Sequence, residues 1–250
     1  MLALITGTSS GIGKSIANEL ASYGYNLIVV AKDKKKLLKI YKDYKVKVAI
    51  IEADLTKKEE CLKLYKQVKD KKIDILVNNA GFGVTGNFTE TDLDKELEMI
   101  DLNIKSYHIL TKLFLRDFVK RNYGRILNVG SMAGLMPGPY MASYYATKSY
   151  VVNMTLSIVE ELKRDRSKVK VAVFCPGPVR TNFDKVANSK FKVDYISSEE
   201  AAKYAVKEMF KNKILIIPNN MKLNSWLLKV TPLKLTLNIC SRVQERVSDN

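Results

Sequence analysis

The stretch Leu2–Ala21 reads LALITGTSSGIGKSIANELA. Leu2 to Thr6 is a short apolar run, the segment Gly7-Thr8-Ser9-Ser10-Gly11-Ile12-Gly13 follows at once, and Ile16, Ala17, Leu20 and Ala21 then recur at helical spacing. Strand, glycine-rich turn and helix in that order are the context in which such a loop holds a dinucleotide. Glycines let the backbone approach a pyrophosphate closely. The N-terminus of the following helix offers unpaired N–H groups and the positive end of its dipole. A glycine-rich loop alone says little, and its position directly after the first strand strengthens the reading.

Working outward, Leu27–Ala31 reads as the second strand and ends at Lys32-Asp33. In nucleotide-binding folds this strand end faces the adenosine ribose, where an acid selects a free 2′-hydroxyl and a base a 2′-phosphate. Ala31 supplies no acid and Lys32 supplies a cation, which favours NADP(H) over NAD(H). Asp33 reads alternatively as the cap of a helix beginning near Lys34. Apolar runs at 46–51, 73–77, 126–129, 169–174 and 214–217 complete about seven strands with helices between them. One helix runs from Leu93 to about Arg121 with a break near Asp101, and Ser197 with Glu200 makes a capping box for another. Each strand is a continuous apolar run, the signature of a parallel sheet covered on both faces. The expected fold is α/β, a Rossmann-type doubly wound parallel sheet of about seven strands with helices on both faces. It forms a single domain over residues 1–250, with 218–250 a helical C-terminal extension.

Candidate chemistry lies in Ser131–Lys148, SMAGLMPGPYMASYYATK. Tyr144 and Lys148 stand four apart and so share a helix face. An ammonium beside a phenol stabilises the phenolate and lowers a pKa that otherwise lies near ~10. That makes a proton donor and acceptor usable near neutral pH, with the Ser131 hydroxyl placed to hold a carbonyl oxygen. The spacing alone is loose, since Tyr41 and Lys45 repeat it by chance in a lysine-rich chain.

The 250 residues suffice for one large core, and a hydrophobic share of 46% with 27% charged residues is ordinary for a globular domain. The longest stretch without a charge, Ile126–Thr147, is broken by glycines and prolines and holds several serines, so it does not read as a membrane span, and no secretory signal is visible. Three cysteines, far apart, suggest a reducing compartment, so the expected location is cytoplasmic. The net charge of +16 raises nucleic acid as a partner, but lysines spread over nearly every segment read as a solvated surface that draws anionic small molecules. His108, the only histidine, has no metal-ligand companions, so no metal is expected.

With these residues laid out, the chain resembles the short-chain dehydrogenase/reductase family from about Leu2 to Ile217. Thr6-Gly7 with Gly11-Ile12-Gly13 resembles its TGxxxGIG cofactor loop, and Asn78-Asn79-Ala80-Gly81 its NNAG motif. Tyr144 and Lys148 match YxxxK, with Ser131 thirteen residues earlier, as is usual in the family. Asn103 falls where the family has its catalytic asparagine. The resemblance implies a catalytic set of Asn103, Ser131, Tyr144 and Lys148. It implies cofactor contacts along Gly7–Gly13, at Asp54 and Leu55 beside the adenine, at Asn79, Ala80 and Gly81, and at Pro176, Gly177, Val179 and Thr181 near the nicotinamide. The implied reaction is hydride transfer between a nicotinamide cofactor and a carbonyl or secondary alcohol, in a homodimer or homotetramer. The usual additional base before the GIG glycine is absent, since Ser10 stands there. A non-catalytic cofactor-binding sensor or scaffold is the alternative, and such a protein would normally have lost Ser131, Tyr144 or Lys148.

Candidate substrate walls are Phe82, Val84, Met132 to Met141 and a lid beginning Asn182-Phe183, with Lys185, Lys190 and Lys192 in it. Their apolar, methionine-containing character suggests a bulky carbonyl or alcohol, 3-oxoacyl or steroid-like. Beyond Ile217, the stripe Leu223, Trp226, Leu227, Val230, Leu233, Leu237 and Cys240 beside Lys229, Lys234 and Arg242 reads as helices broken at Thr231-Pro232. They either pack over the pocket or touch a membrane or partner peripherally.

Overall fold

Apolar runs become strands, and those inside the sheet bury both of their faces, whereas the edge strand Val48–Glu52 leaves Ala49 exposed. The computed structural model describes residues 1–181, 183 and 196–248. Asn182, the lid lysines Lys185, Lys190 and Lys192 and the side chain of Lys229 lie outside what is described. The strands are β1 (Leu2–Thr6), β2 (Asn26–Ala31), β3 (Val48–Glu52), β4 (Ile75–Asn78), β5 (Arg125–Val129), β6 (Lys170–Phe174), β7 (Val179–Arg180), β8 (Ile196–Ser197) and β9 (Leu215–Ile216). Seven of them form one parallel sheet in the order β3-β2-β1-β4-β5-β6-β9. β7 and β8 form a separate two-stranded ribbon that the sequence pattern does not announce, since two residues carry no periodicity.

Alternate residues serve opposite faces. Ala3, Ile5, Leu27 and Val29 point into one core with α1 (Gly11–Ser22), α2 (Lys34–Ile40) and α7 (Ser198–Phe210). Leu4, Ile28 and Val30 point into the other with α3 (Lys58–Val68), α5 (Tyr107–Lys120) and α6 (Ala142–Arg164). Ser197 and Glu200 cap α7 reciprocally, as expected. Asp33 caps α2, its carboxylate accepting from the Lys36 amide at 2.8 Å.

The expected break near Asp101 is a π-helical turn, Asp101–Ser106, between α4 (Leu93–Ile100) and α5. The tail forms α8 (Asn219–Val230) and α9 (Leu233–Ser248), parted at Thr231-Pro232. Among the described residues no helix is long and apolar enough to cross a membrane.

Strand order reverses between β1 and β4, so the loops after these two strands diverge and leave a crevice at the carboxyl edge of the sheet. Gly7–Gly13 leaves β1 there and Asn79–Gly81 leaves β4. The two loops are stitched together. The Thr6 hydroxyl accepts from the amides of Asn79 (2.9 Å) and Ala80 (3.1 Å), while Asn79 Nδ2 donates to the carbonyls of Thr6 (3.0 Å) and Gly7 (3.1 Å).

Candidate active site

A cavity of about 1030 Å³ opens at that crevice. One end of its wall is backbone-rich: Gly7, Ser9, Ser10, Gly11 and Ile12 from the first loop, with Asn79, Ala80 and Gly81 from the second. Gly7 and Gly11 take positive φ (70° and 54°), and a Cβ on Gly7 would lie 2.7 Å from Ala80 Cα. Only glycine meets both demands. Ser10 precedes α1 in extended geometry and gives no side-chain cap, so the first amides of that helix remain available beside the cavity.

Thr8, Gly13 and Asp54, expected at the cofactor, are not on the wall. Thr8 is fully buried with its backbone carbonyl accepting from Tyr41, and Asp54 accepts from the Thr56 hydroxyl at 2.6 Å. Gly13 sits behind the loop, where a Cβ would come within 2.3 Å of both Asn79 Nδ2 and the Gly7 carbonyl. Gly13→Ala is therefore expected to pry the two loops apart at a cost of about 1–3 kcal/mol. For a chain of this size that lowers the melting temperature by about 2–12 °C. An unchanged midpoint by calorimetry would show that the loops part freely.

Lys32, Leu55, Pro176, Gly177, Val179 and Thr181 line the cavity. Lys32 is not a free cation. It pairs with Asp54 at 3.2 Å and Glu98 at 2.9 Å. Partial burial alone would lower its pKa, but the bonds to these two acids outweigh it and hold the ammonium above its ordinary value. Lys36, one turn along α2, also reaches the wall.

At the other end stand Ser131, Tyr144 and Lys148 together, with Phe82, Met132, Met136, Met141 and Phe183. β5 delivers Ser131, whose hydroxyl accepts from the Ala133 amide at 3.1 Å and opens a 3₁₀ turn, Met132–Leu135. That turn lies tight on α6, for a Cβ at Gly134 would meet the Lys148 carbonyl at 2.6 Å. Tyr144 is 9% exposed and its ring packs against Phe183 at 5.3 Å between centroids.

The expected electrostatic balance between Tyr144 and Lys148 is not what the structure holds. Burial drives the Tyr144 pKa well above its ordinary value, only partly opposed by a hydrogen bond with Ser131. Burial also lowers Lys148 to about 8. The Lys148 ammonium donates to the Val129 carbonyl at 3.1 Å and stands 5.8 Å from the Tyr144 ring centroid. Both groups are pushed toward their neutral forms because desolvation acts on each more strongly than they act on each other.

Asn103, fully buried in the π turn, does not line the cavity. Its amide clasps the chain at Phe82, accepting from the amide at 3.2 Å and donating to the carbonyl at 2.9 Å. It also donates to Thr147 Oγ1 at 3.0 Å on α6. It thereby joins the Gly81–Phe82 loop to the helix carrying Tyr144 and Lys148. Tyr145 is buried against Gly138 and also lies on the wall.

The tail supplies walls that no motif named: Met221, Leu227, Leu228, Thr231, Thr236 and Cys240. Met221 packs on Gly177, where a Cβ would meet its side chain at 2.8 Å. Among the described residues no group of three or more His, Cys, Asp or Glu could hold a metal ion.

A short chain dehydrogenase family model matches residues 1–192. An uncharacterized oxidoreductase of Staphylococcus saprophyticus is 34% identical over 215 residues, covering 83% of this chain and 91% of that one. A short-chain dehydrogenase from Sphingobium yanoikuyae, solved in complex with NADPH, superposes with a TM-score of 0.83 at 28% identity and 90% coverage of both chains. The bulky-bulky ketone specific alcohol dehydrogenase from Comamonas testosteroni superposes with a TM-score of 0.79 at 28% identity, covering 90% of this chain and 88% of that one.

Proposed function

The chain belongs to the short-chain dehydrogenase/reductase family, and from that premise we propose that it moves a hydride between NADP(H) and a bulky, apolar carbonyl or secondary alcohol. The observation that carries this reading is the convergence of Ser131, Tyr144 and Lys148 at one end of a cavity whose other end is a glycine cradle. The residues present fit a dinucleotide. Positive-φ glycines leave room for a pyrophosphate, the first turn of α1 offers amides to its charge, and Pro176 through Thr181 flank the segment beside Tyr144.

The nicotinamide, when bound, supplies or accepts the hydride. Ser131 orients the carbonyl oxygen, and Tyr144 gives that oxygen a proton in reduction or takes one in oxidation. Lys148, at about 8, stays largely protonated at neutral pH and holds its proton within the Tyr144 site. Asn103 is a positioning residue, holding the loop at Phe82 against α6. The apolar wall of Phe82, Met132, Met136, Met141 and Phe183 suits a ring system or long acyl chain. That agrees in kind with the ketone-specific neighbour. The reading includes a homodimer or homotetramer and no nucleic-acid partner.

The test is consumption of NADPH, followed at 340 nm, across bulky ketones, β-keto esters and small aldehydes. Turnover favouring the bulky ketones supports the substrate class, and preference for small aldehydes would reject it. Cofactor choice has its own variant. A hydrogen bond to a charged group contributes about 1.5–3 kcal/mol, and Lys32 and Lys36 are the cations at the ribose end of the wall. Lys32→Glu with Lys36→Glu is expected to move the NADPH-over-NADH ratio of kcat/KM by about 100-fold toward NADH. An unmoved ratio would take both lysines out of the account.

A further inference from the structure

Helices α8 and α9 turn apolar side chains in two directions. Inward, Met221 lies on Gly177, Leu228 joins a core with Val151 and Val173, and Thr236 and Cys240 are buried at the cavity. Outward, Leu223, Trp226, Val230 and Leu233 are 66%, 59%, 60% and 65% exposed. Eight of the eighteen large apolar side chains that are exposed among the described residues fall within residues 223–239, so the exposure is concentrated here. Helices that only closed the pocket would present polar residues to water. A patch of this kind marks an interaction surface. Residues 214–244 contain no Asp or Glu, whereas Lys222, Lys229, Lys234 and Arg242 are set among the apolar ones.

We propose that the outer face of α8 and α9 docks on the surface of an anionic lipid bilayer. Its leucines and valine enter the headgroup–acyl boundary, and the lysines rest their stems on apolar surface with the ammonium groups at the lipid phosphates. Trp226 takes the interfacial position that indole prefers. A second copy of the chain is the poorer occupant. A two-fold interface centred on residues 222–242 would set this face against itself and bring cations together with no acid in that span to meet them. Leu227 and Ile239 are 43% and 52% exposed and also line the cavity, so the docked face runs into the cavity mouth. On the reductase reading, on which this clause rests, a lipid-soluble carbonyl enters from the bilayer.

Trp226 is the only tryptophan, so its fluorescence reports this face directly. With vesicles of phosphatidylcholine containing phosphatidylserine, its emission is expected to move to shorter wavelength and to be quenched by brominated acyl chains. Both responses weaken in pure phosphatidylcholine and in high salt. Leu223→Ser with Val230→Ser keeps every cation and is expected to lower vesicle partitioning by about tenfold or more. Lys222→Gln with Lys234→Gln is expected to lower it about twenty-fivefold, at about fivefold per cation near an anionic surface. Two results overturn the proposal in favour of the general lysine coat: cosedimentation with vesicles without a shift in emission, or partitioning undiminished in the serine variant. An oligomer that the serine variant dissociates in the absence of lipid overturns it in favour of a second copy. Failure to bind or cosediment with anionic vesicles overturns it outright. Partitioning is read without turnover, so its outcome is separate from that of the reductase assay.

Discussion

Tyr144→Phe is expected to lower kcat and kcat/KM for carbonyl reduction together, by about 10²–10⁴-fold, the range for a general acid removed from a reaction that needs one. The phenyl ring keeps the contacts with Tyr145 and Phe183, at 6.2 and 5.3 Å between centroids, and Ser131 keeps its bond from the Ala133 amide. Folding and dinucleotide binding are therefore expected to be unchanged, which isolates the hydroxyl. Because burial holds the Tyr144 pKa above its ordinary value, the wild-type group stays protonated through neutral and mildly alkaline pH. Reduction should then be flat in pH as far as this group is concerned, and alcohol oxidation should rise with pH. A variant within threefold of wild type would remove Tyr144 from the reaction.

Lys148→Met is expected to raise stability while abolishing turnover. Lys148 is 5% exposed, and its ammonium has a backbone carbonyl but no carboxylate against it among the described residues. Burial holds it at about 8 against an ordinary 10.5, so keeping it charged at neutral pH costs about 3 kcal/mol. The sign follows from the folded value lying below the unfolded one. The folded state gains stability as pH rises from about 8 toward 10.5, and below about 8 the penalty is felt in full. Methionine fills a similar volume without charge, and the Val129 carbonyl keeps its bond from the Tyr107 hydroxyl at 3.1 Å, so loss of the ammonium's own bond returns only about 1 kcal/mol of the gain. The net expectation at pH 7 is a variant about 1–2 kcal/mol more stable by denaturant titration. Its stability difference from wild type should shrink as pH rises above 8. A destabilised variant at pH 7 would mean that water or a nearby dipole already solvates the ammonium.

Much of this molecule is legible in sequence because parallel strands buried on both faces must be continuously apolar. Leu2–Thr6 and Leu27–Ala31 could hardly be read otherwise, and their observed bounds agree to a residue. Asn103 was legible only through the family resemblance, and the turn that holds it only as a break near Asp101, because a π turn is defined by hydrogen bonds that short-range pattern does not encode. The partners of Lys32 escape notice for a different reason. Glu98 lies 66 residues away, and only the fold brings it to the end of β2. The site's apolar ceiling was the least legible part. In α8 and α9 apolar residues occupy both faces, so periodicity marks helices without telling which side meets the cavity.

The contact of Met221 with Gly177 also bears on how the protein is made. A chain emerging from the ribosome releases β1, the glycine loop, Ser131, Tyr144 and Lys148 well before α8 exists. Until Met221 and Cys240 have been translated, the hollow beneath them stands open to its neighbours as raw apolar surface. The interval between the release of Lys148 and the translation of Cys240 is thus one in which the chain exposes this apolar surface to aggregation, and a message truncated after Ile217 leaves that interval without an end.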